Sequence, residues 1–257
     1  MIFEPLKIQY DLVSWLSLAG DRIRQSMLGP IQVSTKSGPN DLVTNIDRQI
    51  EQFYVQQIRA AYPEAKICGE EGFGDKITDL QGLVFFVDPI DGTMNFVRQR
   101  QNFATMIGVF LDGQPVVGAI ADVMRSELIV GGPQTGVQFN GRPITLPERQ
   151  PLAEGLLGVN ALMYAHDRYH LQALAAQTSG VRVIGSAGLE FMSLITDQQI
   201  GYISALSPWD VAAGWAISSA LGLEVRNLSG AMPALRQREV IVAGIPAIWP
   251  AFKKLQN

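Results

Sequence analysis

The stretch Gly82-Leu-Val-Phe-Phe-Val-Asp-Pro-Ile-Asp-Gly-Thr93 decides most of what this sequence predicts about fold and chemistry. Its first half, 82–87, is a continuous apolar run of the kind found in strands that are buried on both faces. Asp88 and Asp91 follow at the end of that strand, where Pro89 fixes φ and biases Asp88 toward an extended backbone. Asp-Pro and Asp-Gly are also common in plain turns, but buried carboxylates need a cation. The pattern therefore predicts two aspartates that converge on one metal ion.

The sequence around this stretch, up to about residue 150, predicts amphipathic helices that pack on strands. Asp-Gly and Asn-Gly dipeptides between apolar runs are typical of tight hairpins. The predicted elements are a helix through Leu12 and Met27 that ends at Gly29-Pro30, a helix from about Thr44 to Pro63, strands over 65–69 and 82–87, a hairpin of 103–111 and 115–122 around Asp112-Gly113, and a further pair near Asn140-Gly141.

Beyond Pro147–Pro151 the pattern changes to shorter strands that alternate with helices. The predicted elements are strands over 156–160, 181–184, 200–204 and 239–243, helices from about His166, Ala187 and Trp209-Asp210, and a short final helix. We therefore expect one compact unit with two halves. An α+β half over 1–150 would carry most of the metal ligands, and an α/β half over 151–257 would supply Asp210 and substrate contacts. Alternating layers of helix and sheet would join them.

Composition excludes several classes of protein. Of the 257 residues, 47% are apolar and 17% are charged, which is typical of a folded chain and not of a disordered one. A net charge of −4 gives no general attraction for nucleic acid. Cys68 is the only cysteine, so an intramolecular disulfide or a thiolate metal site is excluded. The N-terminal residues lack a signal-peptide pattern, and no apolar run reaches the about 18 residues of a membrane span. A cytoplasmic protein is predicted.

Three more carboxylates could join the aspartate pair. Glu70 and Glu71 follow a predicted strand, and Asp210 begins a predicted helix. Each has an ordinary alternative: the glutamates could lie in a solvated loop, and Asp210 could be a helix N-cap. Taken together, carboxylates with few histidines favour Mg²⁺ or Mn²⁺ over Zn²⁺. Two ions shared among carboxylates can clamp the attacking and leaving oxygens of a phosphoryl transfer.

Backbone amides offer a place for the phosphate group. Gly92 and Thr93 lie at a predicted helix start, where free N–H groups bind anions. The segment Gly185-Ser-Ala-Gly188 also follows a predicted strand and opens a helix, so its amides could face a ligand. His166 and His170 lack the intervening glutamate of a zinc-protease helix, and we interpret them as exposed polar residues.

In this order and spacing, the motifs resemble those of the inositol monophosphatase family. The matching motifs are Lys36 with Asp41-Leu-Val-Thr44 and Asp47, Gly69-Glu70-Glu71, Asp88-Pro-Ile-Asp-Gly-Thr93, Gly185-Ser-Ala187, and Trp209-Asp210. The resemblance implies a layered αβαβα sandwich of the inositol monophosphatase and fructose-1,6-bisphosphatase type, usually assembled as a homodimer. It also implies that the chain hydrolyses a small phosphate monoester, requires Mg²⁺ and is inhibited by Li⁺.

The resemblance also implies which residues hold the metal ions. One Mg²⁺ would lie between Glu70, Asp88 and the carbonyl oxygen of Ile90. A second would be held by Asp88, Asp91 and Asp210. A weaker third ion would rely on Glu70 and water molecules, and Mn²⁺ could substitute.

Catalysis and substrate binding are implied in the same way. Asp47 and Thr93 would orient the attacking water and help to deprotonate it, with Glu71 beyond the direct ligands. No covalent enzyme intermediate would form. The implied substrate contacts are Asp91, Gly92, Thr93, Ser186, Ala187, Ile203 and Asp210.

One position departs from the family pattern. Many inositol-hydrolysing members carry a glutamate six residues before the tryptophan of Trp209-Asp210, where sugar hydroxyls bind, and this chain has Ile203. Isoleucine cannot accept hydrogen bonds, so we expect modest selectivity for inositol 1-phosphate if Ile203 faces the pocket. Fructose 1,6-bisphosphate, NADP and 3′-phosphoadenosine 5′-phosphate are alternative substrates. A non-catalytic regulatory protein that binds RNA or transcription machinery is the alternative of another class, although the net charge does not favour nucleic acid.

Overall fold

The computed structural model describes residues 4–35, 38, 42–145 and 151–256. Lys36 and Asp41, and most of the segment at the predicted junction near residue 150, lie outside the described residues. In chain order the elements are α1 (Pro5–Ser26), β1 (Val33–Thr35), β2 (Leu42–Thr44), α2 (Asn45–Ala61), β3 (Lys66–Gly69), β4 (Leu83–Asp91), α3 (Thr93–Gln99), β5 (Ala104–Leu111), β6 (Gln114–Asp122), β7 (Glu127–Gly132), β8 (Gly136–Phe139), β9 (Arg142–Pro143), β10 (Leu156–Val159), α4 (Ala161–Ala165), α5 (Leu171–Ala175), β11 (Gly180–Arg182), α6 (Ala187–Ile195), β12 (Gly201–Leu206), α7 (Pro208–Ala220), β13 (Glu224–Asn227), β14 (Glu239–Gly244) and α8 (Ile248–Lys254).

The strand predicted from the apolar run is β4, and it lies between two hydrophobic cores. Phe85 and Val87 enter one core, while Val84 and Phe86 enter the other, because successive side chains of a strand point to opposite faces. All four side chains are completely buried. The prediction of a strand buried on both faces is confirmed.

Two main sheets and three groups of helices form five alternating layers. The larger sheet has the order β3-β4-β5-β6-β7-β8-β9, and the smaller has the order β11-β10-β12-β14-β13. Helices α1 and α2 pack on the outer face of the larger sheet, and α6 and α7 lie between the two sheets. Helices α4, α5 and α8 cover the smaller sheet from outside. The predicted layering is confirmed.

Two glycines of the larger sheet let α7 approach it closely. A Cβ atom at Gly108 would lie 2.5 Å from the carbonyl carbon of Ala212, and one at Gly118 would lie 2.2 Å from the carbonyl oxygen of Ala213. Side chains at these positions would push the helix away, since real Cβ contacts are not that short. The contact fixes the start of α7, and with it Asp210, against the sheet.

The hairpin predicted at Asp112-Gly113 is confirmed. Both residues have positive φ, 51° and 75°, which the tight turn between β5 and β6 requires. The helix predicted from about His166 is wrong in its start: α4 begins at Ala161, because the Asn160 side chain caps the amides of the first turn. His166 follows the end of α4. Strands β1, β2, β7 and β13 were not predicted. None of the described helices is long and apolar enough to span a bilayer.

Candidate active site

A cavity of about 220 Å³ opens where the C-terminal end of β4 meets the start of α3 and the start of α7. It brings together seven of the residues predicted for the site. The lining residues are Leu42, Glu70, Asp88, Ile90, Asp91, Gly92, Thr93, Met94 and Asp210. Residues from three separate parts of the sequence therefore meet at one place, as the predicted metal site requires.

Asp88 is the most deeply buried acid of this cavity. The pairing of β4 with β5 is regular up to Asp88 and shifts in register between Asp88 and Asp91, so the strand turns its last residues toward the cavity. Asp88 is 1% exposed, and its Oδ1 atom is buried without a hydrogen-bond partner among the described residues. A buried oxygen in that state costs free energy unless a ligand satisfies it.

The acids of the cavity raise one another's pKa values. Burial raises the pKa of Asp88 well above its usual value, and the charges of Glu70, Asp91 and Asp210 raise it further. Burial raises the pKa of Asp210 to about 8, and the charge of Asp91 adds to that shift. Buried carboxylates that lie close together cannot all ionise at low cost, and a cation would stabilise their charged forms.

Asp91 ties the cavity to the start of α6. The Ser186 hydroxyl donates to Asp91 Oδ2, the Ala187 amide donates to Oδ1 at 2.9 Å, and the Gly188 amide donates to Oδ2 at 2.8 Å. Burial raises the pKa of Asp91 to about 6 against the lowering effect of these bonds. The amides that the sequence suggested for a ligand are therefore used by Asp91, and Ser186 and Ala187 are both nearly buried.

Asp210 belongs to the N-terminal cap of α7, in which Ser207 and not Asp210 is the N-cap residue. Its Oδ2 atom accepts the Ser207 amide at 2.7 Å and completes a capping box at the start of α7. It also lines the cavity. The helix-capping role and a metal-binding role are compatible, because a carboxylate has about four lone-pair sites.

Asp47 and Thr93 are in contact beside the cavity. The Thr93 hydroxyl lies 3.2 Å from Asp47 Oδ1 and 3.0 Å from the Ile90 carbonyl oxygen, and can donate to either. The Thr44 amide donates to Asp47 Oδ2 at 2.9 Å within the capping box of α2, which fixes the carboxylate. Burial raises the pKa of Asp47 to about 6, and the charges of Glu71 and Glu70 add to this.

Glu70 and Glu71 lie in the turn after β3. Glu51, which the sequence analysis did not identify, holds that turn through two hydrogen bonds. The Glu71 amide donates to Glu51 Oε2 at 2.6 Å, and the Phe73 amide donates to Glu51 Oε1 at 2.8 Å. The available sequence signal was weak: Glu51 stands four residues after Asp47 and so shares its face of α2.

Ile203 lies apart from the cavity. Its side chain is fully buried in the core and is not among the lining residues. The neighbouring Tyr202 packs edge-on against Phe191 of α6, at 5.7 Å between ring centroids, so Ile203 points to the opposite face of β12. The substrate contact predicted at Ile203 is therefore not supported by this geometry, because the condition that it faces the pocket is not met.

The chemistry of the donor set fits a hard divalent cation. The acids that line the cavity offer carboxylate oxygens, and Asp88 Oδ1 has no partner in the described part of the chain. Carboxylate and carbonyl oxygens are what Mg²⁺, Mn²⁺ and Ca²⁺ prefer. Among the described residues, no group of three or more His, Cys, Asp or Glu side chains is already arranged as a metal site.

The sequence profile of the inositol monophosphatase family matches residues 7–256. The chain belongs to the inositol monophosphatase family. The predicted family, fold class and enzyme class are confirmed.

Known proteins of similar sequence and structure support this assignment. The inositol-1-monophosphatase of Bacillus subtilis is 38% identical over 239 residues, which cover 91% of this chain and 90% of that protein. The Nus factor SuhB of Vibrio cholerae is 30% identical and covers 93% of each chain. The crystal structure of an IMPase/NADP phosphatase complexed with Mg²⁺ and phosphate has a TM-score of 0.89 and 26% identity, and covers 98% of this chain and 96% of that one.

Proposed function

We propose that the chain hydrolyses a small phosphate monoester with Mg²⁺ and releases inorganic phosphate. The observation that carries this proposal is the Asp88 Oδ1 atom, which is unpartnered among the described residues and buried among acids that raise its pKa. An arrangement of this kind costs stability unless a cation binds, so it points to a functional site. A related structure that contains Mg²⁺ and phosphate supports the choice of ion.

The family resemblance implies the residues proposed to hold Mg²⁺, and all of them line the cavity. Glu70, Asp88 and the Ile90 carbonyl oxygen would hold one ion, and Asp88, Asp91 and Asp210 would hold a second. Glu70 with water molecules would hold a weaker third. When bound, Mg²⁺ would lower the pKa of the attacking water and neutralise charge on the phosphoryl oxygens and the leaving oxygen.

Asp47 and Thr93 would handle the proton of the attacking water. Asp47 Oδ2 is held by Thr44, which leaves Oδ1 directed at the Thr93 hydroxyl. If Thr93 gives its proton toward Asp47, its oxygen can accept a proton from water as the water attacks phosphorus. Burial raises the pKa of Asp47 to about 6, and a stronger base accepts a proton more readily.

Two further groups would bind the phosphate and the leaving group. The amides of Gly92 and Thr93, at the start of α3, would bind the phosphate. Gly92 has a φ of 86°, which glycine adopts freely. A Cβ there would lie 3.1 Å from the Ser186 side chain. Asp210 would lie on the side of the leaving group.

Removal and return of metal tests the proposal directly. We expect phosphatase activity on glycerol 2-phosphate or inositol 1-phosphate to vanish in EDTA and to return with Mg²⁺. Excess Li⁺ should inhibit, as the family resemblance implies. Full turnover by metal-stripped protein would refute the assignment of the cavity.

A second group of substrates is suggested by the charge of Arg238. Arg238 is exposed, its Nε donates to the Ala205 carbonyl oxygen at 3.2 Å, and its charge slightly opposes the rise in the pKa of Asp210. An arginine so placed would attract a leaving group that carries its own negative charge. Fructose 1,6-bisphosphate, NADP and 3′-phosphoadenosine 5′-phosphate all have this property. A panel of esters with charged and uncharged leaving groups would discriminate them.

Two remaining features are also proposed. A homodimer follows from the family resemblance, and light scattering would test it. The cytoplasmic location is the one that the sequence analysis predicts, and cell fractionation would test it. The non-catalytic alternative keeps some support from the relative named Nus factor SuhB. The complete set of carboxylates supports catalysis, and silence across the ester panel in the presence of Mg²⁺ would favour the alternative.

A further inference from the structure

Glu51 is a fully buried carboxylate whose two oxygens both bind the turn that carries Glu70 and Glu71. Its Oε2 accepts the Glu71 amide at 2.6 Å, and its Oε1 accepts the Phe73 amide at 2.8 Å. The side chain has no exposed surface. Hydrogen bonds from amides to an ionised acceptor are shorter and about twice as strong as neutral ones.

The space for this carboxylate is left by a glycine of β3. A Cβ atom at Gly69 would lie 2.4 Å from Glu51 Oε1 and 2.9 Å from Oε2. Gly69 is not among the residues with positive φ, so close approach and not backbone conformation is what requires glycine here. The position of the Glu51 carboxylate therefore depends on the absence of a side chain at Gly69.

The position of Glu51 on α2 links two parts of the site. Asp47 lies one helical turn earlier, and its carboxylate meets Thr93. Helix α2 thus supplies Asp47 to the Asp47–Thr93 pair. One helical turn later, it supplies Glu51 to the loop that carries Glu70 and Glu71.

We propose that Glu51 is a positioning residue that holds the Glu70–Glu71 turn in the arrangement that binds Mg²⁺. This inference rests on the proposed metal site, since Glu51 acts through Glu70 and does not line the cavity. Residues that orient metal ligands typically change metal affinity by about 10- to 100-fold when they are substituted.

The same turn has a second anchor on the solvent side, which provides a matched control. Arg59, also on α2, forms an ion pair with Asp75 at 2.6 Å, and both side chains are 39% exposed. Exposed ion pairs contribute little. If any weakening of the turn were enough to loosen the metal site, loss of Arg59 would act like loss of Glu51.

Glu51→Gln is the primary variant. Its carbonyl oxygen can accept one amide, but its NH₂ group faces the other, so one of the two bonds is lost. We expect the Mg²⁺ dissociation constant, measured by calorimetry, to rise about 10- to 100-fold. The amide of Glu71 or Phe73 should exchange with solvent at least about tenfold faster in the metal-free protein. The kcat at saturating Mg²⁺ should change less than about threefold, and Arg59→Gln should leave the dissociation constant within about twofold.

A second variant separates position from charge. Gly69→Ala keeps every carboxylate but places a methyl group against Glu51, so it should also weaken Mg²⁺ binding. The double variant should bind Mg²⁺ no more weakly than the weaker-binding of the two single variants, because both substitutions act through one contact. If Glu51→Gln does not fold, Mg²⁺ binding and amide exchange are measured in Gly69→Ala instead.

Three results would overturn the inference, and they are distinguishable. Wild-type affinity in Glu51→Gln and Gly69→Ala refutes the positioning role while leaving the metal site intact. Equal loss in Arg59→Gln shows a general effect of loosening the turn. Absence of Mg²⁺ binding by the wild type refutes the proposed metal site itself, and the positioning role with it.

Discussion

Asp88→Asn should have opposite effects on stability and on function. Asp88 Oδ1 is buried without a partner in the described part of the chain, and the charges of Glu70, Asp91 and Asp210 raise the pKa of this carboxyl. Asparagine has the same shape, carries no charge and can donate to Glu70. The metal-free variant should therefore be more stable than the metal-free wild type, whereas its activity should be almost lost because the residue proposed to touch both ions is gone.

Asparagine also leaves a polar atom unpaired at this position, so the gain comes from removing the charge. An unpaired buried group costs about 1–3 kcal/mol, and more when it is charged. For a chain of this length, 1 kcal/mol moves the melting temperature by about 2–4 °C. Mg²⁺ at 100 times its dissociation constant would stabilise the wild type by about 2.7 kcal/mol and the variant much less. The order of the two melting temperatures should reverse when Mg²⁺ is added.

The assay is thermal unfolding at pH 8 with EDTA and with Mg²⁺, together with phosphate release. Asp122→Asn is the control: Asp122 is 2% exposed but accepts the Met124 and Arg125 amides at 3.0 and 2.9 Å. Because that carboxylate is satisfied, its loss should destabilise both forms equally and leave activity unchanged. A metal-free Asp88→Asn variant that melts below the wild type, or that turns over normally, would refute the reasoning.

Three other predictions address separate parts of the site. Thr93→Ala should lower kcat by about 10²-fold with little change in the Mg²⁺ concentration for half activity, and a defect cured by more Mg²⁺ would contradict the role of the Asp47–Thr93 pair. Arg238→Gln should lower kcat/KM about three- to tenfold for esters with a charged leaving group but not for glycerol 2-phosphate, whereas exposed Arg236→Gln should affect neither. Burial raises the pKa values of Asp47 and Asp91 to about 6 and of Asp210 to about 8 from 3.8, so the stability they contribute is present below about pH 4 and is lost as the pH rises through 6 to 8. The melting temperature of metal-free protein should fall between pH 5 and pH 8, and Mg²⁺ should reduce that fall.

The sequence was most informative where one local cause determined the structure. A continuous apolar run produced β4, a Thr44 capping box began α2, and Asp112-Gly113 produced a hairpin. In each case the decisive residues are neighbours in the chain. The wrong helix start predicted at His166 also has a local cause, because the helix begins after Asn160, whose side chain caps it.

Contacts between distant residues could not be predicted from local patterns alone; those among the acids of the cavity were expected only through the family resemblance. Nothing in the local sequence indicates that Asp91 receives the amides of Ala187 and Gly188, which are 96 and 97 residues away. The face of β12 that carries Ile203 depends on how that strand packs against α6 and the outer helices, and the motif spacing alone could not supply it. Glu51 was missed for the same reason, because its partners belong to a turn 20 and 22 residues further on.

Some acids of the site also form hydrogen bonds that stabilise the fold. This decides how the effect of each substitution should be interpreted. Asp47 and Asp210 complete capping boxes, and Asp91 accepts three bonds from the start of α6. Loss of any of these three removes structural bonds together with a proposed functional group, so inactivity alone would not separate the two causes. Asp88 has a buried oxygen that bonds to none of the described residues. Its substitution should therefore relieve an unfavourable burial in the metal-free protein, and a gain in stability joined to a loss of activity would be hard to explain by anything other than a site built for a cation.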